Sequence, residues 1–142
     1  MIRTPASFKA LREGVGYSQA ELADVLGVSE RSVKRWEQTA TDHLAPDEAW
    51  ELLEDTKAKQ DSTVESTLGL VDVMTSTGRS HPVELPYWKS AEHYAQWMDG
   101  GSWLVANATA RKVAEGLDAR GVEYGFVYRG SDDSGIFIAT EV

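Results

Sequence analysis

The fold of the first half of this chain is decided by the stretch SQAELADVLGVSERSVKRWE, Ser18 to Glu37. Ser18 and Glu21 have the S-x-x-E spacing of a capping box, which marks the start of a helix. Gly27 supplies the backbone freedom that a tight turn needs, and Ser29 is a suitable N-cap for the next helix. The stretch therefore predicts two short helices joined by a turn.

Spacing within these two helices separates buried from exposed positions. Ala23 is small where the helices would cross, and Val33 and Trp36 lie on one face of the second helix. We expect Val28 to be buried with that pair against a preceding helix. The side chains left pointing outward on the second helix are Glu30, Arg31, Ser32, Lys34 and Arg35.

Further helices are predicted on both sides of this pair. Thr4-Pro5 has the residue types of an N-cap and a first helical position, and apolar residues follow at helical spacing as far as Gly16. After a loop, Pro46 begins a helix with an acidic first turn. The pattern beyond Pro46 fits one long helix or two shorter ones broken near residues 60–63, and both remain open.

The second half of the chain mixes helical and extended patterns. Residues 75–82 are polar and marked by Gly and Pro, which predicts domains at residues 1–75 and 82–142. A short extended run over residues 83–88 precedes two helices, the first near Ser90 and the second capped by Ser102.

The end of the chain changes to a period of two. Residues 122–128 alternate, the turn-rich segment GSDDSG follows, and residues 136–138 form a second apolar run, which together predict a β-hairpin. The predicted fold class is α+β: an N-terminal all-α helix-turn-helix domain followed by a small α+β domain with a C-terminal β-hairpin.

Charge is distributed unevenly along the chain. The formal net charge is −9, yet residues 1–45 contain six basic and six acidic side chains, so the excess lies after residue 45. Because the Debye length is about 8 Å at physiological salt, acidic residues in another domain do not cancel a local basic surface.

The absence of cysteine excludes disulfides and cysteine-based zinc sites. Without a signal peptide or a membrane-spanning run, we expect a soluble cytoplasmic protein.

The stretch Ser18 to Glu37 resembles the helix-turn-helix domain of phage lambda-type and XRE-type repressors. The matching residues are Gln19, Leu22-Ala23, Gly27-Val28-Ser29, Val33 and Trp36-Glu37. The resemblance implies a recognition helix that enters the major groove with its N-terminus first. One departure is Thr39, which stands where the family usually has glycine, so the loop toward Pro46 is expected to follow a different course.

This resemblance assigns roles to the outward residues. Arg31 and Arg35 suit the acceptor pair of guanine, Glu30 can accept from cytosine, and Ser32 can serve either base. Phosphate contacts are expected from the side chains of Gln19 and Lys34 and from the backbone amides at the helix starts. The predicted DNA-binding set is Gln19, Ser29, Glu30, Arg31, Ser32, Lys34 and Arg35.

The stretch Leu85 to Gly130 resembles the C-terminal region of small two-domain bacterial and phage regulators, which include anti-CRISPR-associated autorepressors. The resemblance implies a dimerisation domain, and a two-fold dimer doubles the base contacts available to one recognition helix. Aromatic residues are enriched at interface cores. The candidate dimer contacts are Trp88, Trp97, Trp103, Phe126 and Tyr128, with core packing as the alternative for each of them.

These observations predict a transcriptional regulator that binds double-stranded DNA, specifically a homodimeric repressor acting on an inverted-repeat operator. The alternative is the antitoxin of a toxin–antitoxin pair, whose acidic C-terminal half would bind a protein partner, the toxin. In a third interpretation, the second half of the chain is a sensor that binds a small molecule.

The three histidines lack ligand spacing, and no phosphate loop or G-x-S-x-G elbow occurs. We therefore expect no enzymatic activity, no metal, no cofactor and no membrane partner.

Overall fold

The computed structural model of the chain describes residues 1–39, 44–78 and 82–131. The α+β class is confirmed, because a helical first part precedes a part that contains helices and a two-stranded sheet. The elements, in chain order, are α1 Pro5–Val15, α2 Gln19–Leu26, α3 Glu30–Trp36, α4 Asp47–Ser76, β1 Val83–Tyr87, α5 Ala91–Trp97, α6 Trp103–Ala119 and β2 Tyr124–Tyr128.

The starts of the first three helices are the ones that the sequence predicts. The side chains of Thr4, Ser18 and Ser29 each accept a hydrogen bond from the backbone N–H three residues later, at 2.9, 3.0 and 3.2 Å. Each bond satisfies an amide that has no partner inside its helix. Gly27 ends α2 with a φ of 69°, in the left-handed region where a side chain would be strained.

Unit 1, Met1–Gln60, has an aromatic core. Phe8 is fully buried. The centre of its ring lies 5.8 Å from that of Trp36 and 5.2 Å from that of Trp50, and both contacts are edge to face. Val33 is also fully buried, so the predicted inward face of α3 is confirmed. Val28, which the sequence predicts to be buried, is only half-buried because it lies in the turn after α2.

The helix that begins after Pro46 is continuous. α4 runs from Asp47 to Ser76 without a break at residues 60–63. Gln60 is buried there, and its Nε2 donates to the carbonyl oxygen of Val15 at 3.1 Å. The polar residues of this region therefore do not signal a helix end, because the Gln60 amide satisfies an orphan carbonyl at the end of α1.

Unit 2 contains the second half of α4. The boundary between the units lies between Gln60 and Asp61, whereas the sequence predicts domains at residues 1–75 and 82–142. The reason for the difference is packing: Val71 of α4 lies in one apolar cluster with Leu85 of β1 and Leu117 of α6. A polar linker in sequence therefore does not coincide with the end of the packed unit.

The sheet of unit 2 is parallel. β1 pairs with β2 over five residues, from Val83 with Tyr124 to Tyr87 with Tyr128, and α5 and α6 form the crossover between the strands. The sequence predicts a hairpin between β2 and residues 136–138. Those residues lie outside the part of the chain that the structure describes. Asn107 of α6 holds the end of β1, because its side-chain amide accepts from the Trp88 N–H at 2.8 Å and donates to the Trp88 carbonyl at 2.9 Å.

Candidate nucleic-acid interface

The outward face of α3 is the candidate nucleic-acid interface. Val33 and Trp36 are buried on the opposite side of the helix and hold it on unit 1. Four of the predicted DNA-binding side chains on α3 are exposed, and Ser32 is half-buried. The exposed four are Glu30, Arg31, Lys34 and Arg35.

Arg31 and Arg35 are the cations of α3 that remain available to a ligand. They are four residues apart, which places both guanidinium groups on one side of the helix. Neither forms an ion pair with another residue in the part of the chain that the structure describes. A guanidinium group presents paired donors that match the N7 and O6 acceptors of guanine. The two side chains are therefore suited to direct base contacts.

Glu30 and Lys34 contact each other along the helix. The Lys34 Nζ lies 3.5 Å from the Glu30 Oε1, and about half of each side chain is exposed. Such an exposed i,i+4 pair contributes only about 0.3–0.5 kcal/mol to helix stability, so a DNA ligand can displace it. Both groups thus remain chemically available, Lys34 as a donor to phosphate and Glu30 as an acceptor.

Ser29 and Ser32 are joined at the start of α3. The Ser29 Oγ accepts from the backbone N–H of Ser32, and the two hydroxyl oxygens lie 3.0 Å apart. The hydroxyl of Ser29 is thus used in capping, while a hydroxyl oxygen keeps acceptor capacity for a further donor. The role of either residue in DNA binding stays a prediction.

A buried ion pair behind α3 is the main feature that the sequence did not predict. Arg12 of α1 donates from Nε to the Glu37 Oε2 at 2.7 Å and from Nη2 to the Glu37 Oε1 at 2.9 Å. Its Nη1 donates to the carbonyl oxygen of Tyr17 at 2.8 Å. The hydrogen bonds that Arg12 donates to Glu37 raise the pKa of Arg12 above its ordinary value. Glu37 follows Trp36 directly, so this pair fixes the end of the recognition helix to α1.

Gln19 belongs to the same cluster. Its Nε2 donates to the Glu37 Oε1 at 3.2 Å, and the side chain is half-buried. The predicted phosphate contact from Gln19 would have to use its second amide hydrogen or break this bond. The sequence motif names both Gln19 and Glu37, yet their contact and that with Arg12 depend on tertiary structure.

Comparison with known families agrees with this geometry. A family model described as helix-turn-helix matches residues 8–55. The match supports a helix-turn-helix domain of the XRE type in this part of the chain. It also supports a DNA-binding regulator of that type. None of the curated proteins matches the chain. The family match ends before most of α4, so the resemblance of the second half stays a prediction.

The candidate dimer contacts fall into two groups. Trp88 is only 5 % exposed and Trp103 is half-buried, so most of Trp88 is used in the core of unit 2. Trp97, Phe126 and Tyr128 are between 41 and 48 % exposed. Within unit 2, Arg129 stacks over the Trp97 ring at 4.9 Å and the Lys89 ammonium lies 5.0 Å from the centre of the Tyr128 ring. Among the candidate contacts, the second group exposes the most surface to another molecule.

The part of the chain that the structure describes contains neither a candidate metal cluster nor a helix that could span a membrane. Within residues 1–39, 44–78 and 82–131, no three acidic or histidine side chains are close enough to hold a metal ion. Across the same ranges, no helix combines the length and hydropathy that crossing a bilayer requires. His43 and His81 lie outside the described residues, as do residues 40–43 of the loop after Thr39.

Proposed function

We propose that this protein is a homodimeric transcriptional repressor that reads an inverted-repeat operator through α3, and that it has no catalytic activity. The observation that carries the proposal is the pair of exposed guanidinium groups, Arg31 and Arg35, on a helix whose other face is buried. Because its buried face already holds α3 in place, the helix does not have to be ordered when it enters the major groove.

Physical considerations support the proposed dimerism and the proposed repression. Four side chains on a seven-residue helix can specify only a few base pairs. A two-fold dimer doubles that number and reads two half-sites about one helical turn apart. A regulator bound across a promoter in this way blocks access of the polymerase, which is why repression is the proposed direction.

The expected base preferences are specific. Arg31 and Arg35 each select a guanine, and a correct bidentate contact discriminates by about 1–3 kcal/mol. Glu30 lies next to Arg31 and favours a cytosine or adenine amino group while repelling the acceptors of guanine. The operator half-site is therefore expected to contain G·C pairs at the positions nearest the start of α3.

The test begins with selection of tight-binding duplexes from a random pool by the wild-type protein. Anisotropy then compares the selected duplex with a scrambled duplex for the wild type, Arg31→Ala and Arg35→Ala. Each variant should lose affinity for the selected duplex and tolerate changes at one base position. Lys9→Ala, which removes an exposed cation from α1, is the charge-matched control. Equal affinity of the wild type for selected and scrambled duplexes would refute sequence-specific regulation.

A further inference from the structure

The second half of α4 has an unusual solvent face. Exposed positions in the first half of this helix, residues 47–60, include seven charged side chains. Residues 62–73 also have an exposed arc, which points away from the apolar cluster of unit 2. This arc contains no charged side chain. We call this arc the neutral face, and its residues are Ser62, Thr63, Ser66, Gly69, Leu70 and Val73.

Two large apolar side chains stand at the centre of the neutral face. Leu70 is 62 % exposed and Val73 is 59 % exposed, and they are one helical turn apart. The acidic residues of this segment lie on a different side, where Asp72 forms an ion pair with Arg120 of α6. Solvent-facing positions of a helix ordinarily carry charged or polar residues, so this arrangement is typical of a face that is covered in the functional state.

Gly69 is an independent observation on the same face. Glycine inside a helix costs about 0.5–1 kcal/mol relative to alanine. A Cβ atom at Gly69 would meet nothing within 4 Å, so packing inside this chain does not require the glycine. Its absence of a side chain does allow another backbone or a large side chain to approach α4 closely next to Leu70.

From these observations we infer that the neutral face is the surface through which two copies of this chain associate. The inference rests on the proposed homodimer and names its contact. Two chains of net charge −9 repel each other, and a surface without charges is where they can approach at the lowest electrostatic cost. A basic partner would instead select the acidic surfaces, and contact through Trp97 and Tyr128 would bring together the cations Arg129 and Lys89.

The size of the neutral face limits the strength of this contact. Twelve helical residues span about 18 Å, and one helix face of that length buries less surface than the ~800 Å² per partner of a standard interface. The dimer is therefore expected to be in concentration-dependent exchange with the monomer and to be strengthened by an operator that binds two copies side by side.

The test is sedimentation velocity of the full chain over a range of concentrations. Leu70→Glu places a charge at the centre of the face and should raise the dimer dissociation constant by more than about tenfold. Ala58→Glu adds the same charge at an exposed position in the first half of α4 and should leave the constant unchanged. Gly69→Ala should weaken association while keeping or raising the melting temperature of the monomer, a combination that a folding defect cannot produce.

Several results would overturn the inference. The wild type could stay monomeric both alone and on the operator. Leu70→Glu could dimerise as tightly as the wild type. Trp97→Ala could dissociate the dimer while Leu70→Glu does not. A lower melting temperature of monomeric Leu70→Glu would show that the chain covers this face itself. Binding to a duplex with a single half-site separates the two proposals. Leu70→Glu should still bind this duplex, because one copy is enough. A wild type that does not bind it would refute the proposed DNA recognition and leave the dimer contact untouched.

Discussion

Arg12 and Glu37 form a bidentate ion pair inside unit 1, and their side chains are only 8 and 5 % exposed. The pair joins the last turn of α1 to the residue after α3. Because both charges are removed from water, their mutual hydrogen bonds offset a large desolvation cost. The orientation of α3 therefore depends on a contact that is buried behind its exposed face.

Removing one member of this pair should be severe. Glu37→Ala leaves the Arg12 guanidinium buried with only the Tyr17 carbonyl and should cost about 3–5 kcal/mol of unfolding free energy, measured by urea denaturation. The double variant Arg12→Met/Glu37→Leu removes both charges and should be more stable than Glu37→Ala. Glu13→Ala, an exposed acid on α1, is the control. A Glu37→Ala protein as stable as wild type would contradict the burial of the pair.

Local signals in the sequence predicted most of unit 1 correctly. The caps Thr4, Ser18 and Ser29 depend on side chains that reach only three residues along the chain, so spacing alone identifies them. The same holds for the outward residues of α3, because burial of Val33 and Trp36 determines which positions remain exposed.

Contacts between distant residues could not be predicted in this way. Arg12 and Glu37 are separated by 25 positions, and neither residue type indicates a buried partner. The parallel pairing of β1 with β2 likewise requires knowledge of how α6 packs, whereas the alternating pattern around Phe126 indicates only a strand. The unit boundary between Gln60 and Asp61 lies inside the continuous helix α4, at residues where the sequence pattern fits both one helix and two, and only packing between distant residues defines it.

Lys34 should act on affinity without selecting bases. Lys34→Ala removes one donor to phosphate, so it should weaken binding to selected and scrambled duplexes by the same factor and reduce the salt dependence of log K by about one. Anisotropy titrations at several salt concentrations measure both quantities. Arg31→Ala is the contrast, since its loss should fall mainly on the selected duplex. A base-specific defect in Lys34→Ala would instead indicate that Glu30, released from Lys34, changes its own contact.

Gly116 is required by close packing between α4 and α6 in unit 2. A Cβ atom there would lie 2.8 Å from the Leu68 Cδ2 and 3.1 Å from its Cγ, which is too close. Gly116→Val should therefore cost about 1–3 kcal/mol by overpacking, measured by thermal or urea unfolding. Gly14→Ala is the matched control, because a Cβ atom at Gly14 meets nothing within 4 Å and better helix propensity should stabilise it. If Leu68→Ala does not relieve the cost of Gly116→Val, the contact is not the cause.

The ion pair between Asp72 and Arg120 gives a pH-dependent signature for unit 2. Arg120 donates from Nε to Oδ1 at 2.7 Å and from Nη2 to Oδ2 at 3.2 Å, and these hydrogen bonds lower the pKa of Asp72 below its ordinary value. A lowered carboxyl pKa means that the pair stabilises the fold above the pKa of the unfolded chain. This contribution is lost as the pH falls through the pKa of folded Asp72.

Carboxyl NMR titration measures this pKa directly. Arg120→Ala should return the Asp72 pKa to the ordinary value of an aspartate, and added salt should weaken the wild-type shift because the pair is partly exposed to solvent. Arg111→Ala removes a cation from the same helix, but that guanidinium group donates to the hydroxyl of Tyr87 and should leave Asp72 unchanged. An Asp72 pKa that stays low in Arg120→Ala would mean that another group holds the carboxylate ionised.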